Sequence, residues 1–143
     1  MNTLPIFQAN RESTIRMKQL IQRLSDEQLN SVLPNGWTVA VTLAHLAFWD
    51  KRVIHVIEMA KKEGRVIRTE LDEQLNDIIE PFLRAIPVRE AANLAVSSAE
   101  ALDQMLEACS SERIDQLEKE SPRWVDRSLH RNDHLSDIES YFK

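Results

Sequence analysis

Thr38-Val39-Ala40-Val41-Thr42-Leu43-Ala44-His45-Leu46-Ala47-Phe48-Trp49 is the stretch that decides the fold. Thr38 has the form of an N-cap and follows a strong break at Pro34-Asn35-Gly36. From Val39 to Trp49 the residues are apolar on nearly every side of a 3.6-residue period, which marks the first half of a helix as buried. The second half turns polar through Lys61-Lys62-Glu63. Gly64 then stands where a C-terminal glycine closes a helix over 39–62.

A buried helix of that length needs helical partners, and the flanking sequence supplies them. Upstream, Met17, Leu20, Ile21 and Leu24 form an i, i+3, i+4, i+7 stripe over residues 8–24. Ser25-Asp26-Glu27-Gln28 has capping-box form and starts a short extra turn. Downstream, residues 65–87 read as a connection with some helix of its own, from Glu70 to Leu83, bounded by Pro81 and Pro87. A third long helix is expected over 88–109, with Ala91, Ala92, Ala95, Ala99, Leu102 and Cys109 on its inner face. Ser110 to Glu120 is polar and reads as a loop with a frayed turn. Ser121-Pro122 reads as N-cap and N1 of a fourth helix ending near Tyr141. The expectation is an all-α four-helix bundle with a long crossover between the second and third helices, in one domain over 1–143.

Composition narrows the function. Only two glycines in 143 residues argue against a turn-rich β fold. A net charge of −5, with Lys and Arg scattered among acids, gives no footprint for nucleic acid. No apolar run approaches the ~20 residues of a membrane span, and the first residues lack the form of a signal peptide. The lone Cys109 is compatible with a reducing compartment, so a cytoplasmic protein is expected.

The most specific chemistry lies in histidines. His130 and His134 are spaced i, i+4 and point the same way from one helix. Taking His130 as zero at 100° per residue, His134 falls at about 40°, while Leu135, Ile138 and Phe142 centre near 110°. The pair therefore flanks the buried stripe. His45 sits in the most apolar stretch, where an unpartnered imidazole is costly. It is either a third metal ligand or a hydrogen-bonded core histidine, and the residues alone leave both open. Three imidazoles suit zinc, nickel, copper or iron and leave a coordination position open. Arg131 stands where a zincin has its glutamate, so a metalloprotease reading fails. His55 lies about 80° off the His45 face and reads as a surface residue.

Gly36-Trp37-Thr38, His45-Leu46 and Trp49-Asp50 resemble the early signature of the DinB/YfiT-like superfamily. Leu71-Asp72 and Leu75-Asn76 are similar to its crossover segment, and His130 with His134 to its final-helix motif. The resemblance runs over roughly residues 8–142 and lies in the order and spacing of short motifs. It implies an up-down-down-up four-helix bundle, commonly a homodimer. It also implies a divalent metal, nickel or zinc foremost with iron as a further candidate, on His45, His130 and His134. Some relatives are transferases or isomerases that use a low-molecular-weight thiol, and others are assigned as hydrolases.

Two functional classes follow. In the first, the metal activates a thiol or water for attack on a small electrophilic substrate. Asp133, Asp137 and Tyr141 are then candidates for the general base, and the two aspartates for carboxylates that orient the histidines. In the second, the bundle binds a small ligand or a protein without chemistry. Trp37 reads as a groove wall or a hydrophobic staple, Trp49 as core, Arg52 as a rim charge or a carboxylate anchor, and Trp124 as packing or a gate.

Overall fold

The computed structural model describes residues 3–143. These hold seven α-helices, one 3₁₀ turn and no strand. Helix α1 spans Leu4–Arg23, α2 Asp26–Leu29, α3 Val39–Glu63, α4 Gln74–Arg84, α5 Val88–Glu107, α6 Ser111–Glu120 and α7 Ser128–Tyr141. None is long and apolar enough to cross a membrane.

Local chemistry sets most of these ends. Thr38 caps α3 by accepting from the Val41 N–H at 3.0 Å. Ser25 and Gln28 form the expected reciprocal capping box. Gly64 closes α3 at φ 76°, a left-handed conformation that glycine adopts without a Cβ penalty. Helix α1 begins earlier than its stripe suggests, with Pro5 in the first turn, where a missing N–H breaks no helical bond.

Three expectations need correction. Residues 111–120 form helix α6 rather than a loop, capped by Ser110, which accepts from Arg113 N–H. Only Ile114 and Leu117 of that helix are buried, too few for a readable stripe. The final helix does not start at Pro122. Pro122–Trp124 make a 3₁₀ turn, and α7 starts at Ser128. The break is held by Asn10 of α1, whose amide donates to Val125 O at 2.9 Å and accepts from the N–H groups of Arg127 and Ser128. Pro81 lies inside α4 rather than bounding it.

Helix α1 packs on α5 and α7, and α3 packs on the same two. Arg11 pairs with Glu107, while Arg89 reaches the far end of α1 at Ile21 O and Leu24 O, so α1 and α5 run antiparallel. The apolar core has two parts. Along α3 the first ends at Leu46 and the second begins at Val53. Asp50 lies between them, 1% exposed, and binds Arg127 Nε at 2.9 Å and Arg131 Nε at 3.1 Å. Arg131, fully buried, also binds Asp103 at 2.8 Å, and Thr14 donates to the other Asp103 oxygen at 2.5 Å. Two acids and two arginines thus balance in a polar layer through the core. Such a layer is tolerable only because its members are paired and hydrogen-bonded.

Candidate metal centre

Helix α3 contributes His45 and α7 contributes His130 and His134. One ring nitrogen from each lies within 4.8 Å of the others. His45 Nε2 and His130 Nε2 stand 3.2 Å apart. Trp37 packs 4.9 Å from the His45 ring and stacks on His134 at 6.5 Å, so it lines the site. Trp49 is half-buried and forms a groove wall rather than core. Its indole N–H donates to Asn76 Oδ1 at 2.9 Å and ties α4 to α3. The cluster opens on a cavity of about 420 Å³ that Glu73, Asn76, Arg123 and Arg127 also line.

A metal ligand must present a lone pair, and the surroundings of all three imidazoles disfavour the protonated form. Burial pushes His45 down to about 4, helped by His134 and Arg127. Burial pushes His130 down to about 2, with Arg127 the next cause. His134 is also lowered by burial, against an opposing pull from Asp137 and Asp133. His45 Nδ1 is buried without a hydrogen-bond partner. Two nitrogens on one tetrahedral zinc stand about 3.3 Å apart, given Zn–N distances of ~2.0–2.1 Å. The ligand type and the 3.2 Å spacing of His45 and His130 therefore fit a divalent ion.

The surroundings of His130 differ from expectation. Neither Asp133 nor Asp137 hydrogen-bonds to it. Arg127 NH2 instead stands 3.4 Å from His130 Nδ1. A guanidinium only donates, so this contact calls for a lone pair on Nδ1 and a proton on Nε2, aimed at His45. For His130 Nε2 to hold a metal, its proton would have to sit on Nδ1, facing a guanidinium that cannot accept it. Arg127 is anchored by Asp50 and by Arg123 O, and it is a part of the site that sequence spacing did not flag. Glu73 likewise was not singled out, because it lies on the crossover, outside any helix stripe. Asp137 and Tyr141 line an adjoining cavity of about 360 Å³ with His134. Asp133 is exposed and lines neither cavity, and His55 is exposed as expected. Cys109 is half-buried, with its thiol pushed up by burial, and so is poorly suited to be a nucleophile.

The architecture and the cluster together define an all-helical protein with three converging histidines. Residues 9–135 match the family model of the DinB superfamily, and the chain belongs to that superfamily. No curated protein and no solved structure matches it.

Proposed function

We propose that His45, His130 and His134 hold one divalent metal, nickel or zinc foremost, and that the protein is a metal-dependent enzyme acting on a small electrophilic substrate. The convergence of three imidazoles in the lining of an open cavity carries this reading. A divalent ion on such a set supplies Lewis acidity and lowers the pKa of a thiol or water. The chain's own groups do the rest. Trp37 and Trp49 flank His45 and limit access of bulk water. Glu73, Asp137 and Tyr141 line the two cavities beside the histidines and are the candidates to take a proton from the nucleophile. Arg127, its charge balanced by Asp50, keeps a guanidinium N–H beside His130 and is a candidate hydrogen-bond donor to a bound substrate.

We further propose that α1, α3, α5 and α7 form an up-down-down-up bundle with α4 in the crossover. The antiparallel α1–α5 pairing supports this. So does the pairing of His45 with His130 and of Asp50 with Arg127, which runs α3 against α7.

Elemental analysis of untagged, unchelated protein beside His130→Ala tests the reading. About one nickel, zinc or iron per chain, lost in the variant, is the expected result. No metal, even after reconstitution with nickel and zinc, would leave the non-catalytic binding module as the better account.

A further inference from the structure

A third cavity, also of about 360 Å³, adjoins the histidine cavity on the side of Trp124, and Trp49 and Arg127 line both. Charge pairing within it is uneven. Arg68 is paired with Glu70 and Glu120, and Arg127 is neutralised by Asp50. Asp72 accepts the Gln74 N–H. Arg52 has no acidic partner within ion-pair distance among the described residues, although it is only part-exposed. Its position is nevertheless fixed. One terminal nitrogen donates to both Thr69 O and Thr69 Oγ1, and the guanidinium packs on the Trp124 ring, 4.9 Å from its centroid. A guanidinium stacked on an aromatic face keeps its edge for in-plane hydrogen bonds, and that edge matches a carboxylate. Burial lowers the pKa of Arg52, as expected of a cation with too little compensation.

We infer that this chamber is a subsite for the carboxylate of a substrate whose reacting end lies at the three histidines, with Arg52 as its anchor. Arg52 follows His45 by seven residues on α3, so their Cα atoms stand about 10 Å apart along the axis at 1.5 Å rise per residue, and a ligand reaching both side chains spans a length of that order. The implied substrate class is an extended carboxylate with its reactive group seven or eight bonds from the acid. The inference deepens the metal-enzyme reading and rests on it only for the far end of the ligand. Carboxylate capture itself requires no metal.

The test uses 8-mercaptooctanoate and its uncharged isostere 8-mercaptooctanamide, titrated into metal-free and zinc-loaded full-length protein. Binding is followed by the indole N–H resonances of Trp49 and Trp124. Metal-free protein is expected to prefer the acid by about tenfold or more, the value of a charge-assisted hydrogen bond. Arg52→Gln should abolish the preference, and Arg52→Lys should keep part of it. A thermal melt of each variant shows that the fold is intact. Equal binding of acid and amide, or an undiminished preference in folded Arg52→Gln, overturns the subsite. Zinc loading should tighten both probes by a common factor. Failure to take up zinc, with the acid preference intact, overturns the metal reading and leaves the subsite standing.

Discussion

Asp50→Asn is the sharpest test of the polar layer through the core. The change keeps the size of the side chain and removes one negative charge. In the native protein Asp50 gives one oxygen to Arg127 and the other to Arg131, and all three side chains are at most 6% exposed. Asp103 remains to balance Arg131, so one guanidinium, that of Arg127, is left without a counter-charge. Breaking a buried ion pair from one side costs about 3–5 kcal/mol. A domain of this size holds only ~5–15 kcal/mol in all. At roughly 3 °C per kcal/mol, the midpoint should fall by about 10–15 °C. Urea unfolding followed by far-UV circular dichroism gives the free energy. Glu107→Gln breaks the exposed Arg11 pair and serves as the control, with an expected loss of about 0.5 kcal/mol. The double variant Asp50→Leu, Arg127→Met should regain most of the loss, because an apolar pair of similar volume often replaces a buried ion pair at little cost. An Asp50→Asn protein within about 1 kcal/mol of the parent would refute the premise that these charges are dry and mutually dependent.

Other outcomes follow from the same contacts. Metal-free protein should lose stability as pH falls from about 6.5 towards 4. His45 and His130 stay neutral in the fold while the unfolded chain takes up protons, so the unfolding free energy from urea titration should drop by up to ~1.4 kcal/mol per pH unit for each, and His45→Ala should flatten the slope. Arg89→Ala removes two bonds to the last carbonyls of α1, at 2.9 and 2.7 Å, and should cost about 1–2 kcal/mol in a denaturant titration. Gly64→Ala meets open space but must hold φ 76°, so a loss of about 1 kcal/mol is expected, with Gly64→Asn milder. Trp49→Phe deletes the hydrogen bond to Asn76, and hydrogen exchange should show faster opening of residues 74–84 with the remaining helices unchanged.

The buried half of α3 was legible because a run of apolar residues after a Thr cap has few other solutions. The same holds for the 25–28 capping box and for the face that carries His130 and His134. Helix α6 was not legible, since two buried residues in ten give no periodicity. Nor was the late start of α7, because it depends on Asn10, more than a hundred residues upstream. Arg131 was within reach. On the same helical wheel it falls at about 100°, inside the stripe of Leu135 and Ile138. An arginine at the centre of an apolar stripe announces a buried acid opposite, and Asp50, one residue after the apolar run of α3, is that acid. Arg127 was not within reach, since only the structure shows that Asp50 shares its second oxygen with it.

Asn10 ties the histidine cluster to a distant helix. Its side chain fixes where α7 begins, and hence the turn on which His130 stands, yet its partners Val125, Arg127 and Ser128 lie more than a hundred residues away. Holding such partners together closes a long loop, at an entropic cost that the packing of α1 against α7 must offset. The cluster is therefore a property of the tertiary fold rather than of any one segment: α3 and α7 carry the three imidazoles, and α1, which carries none, sets the register of two of them.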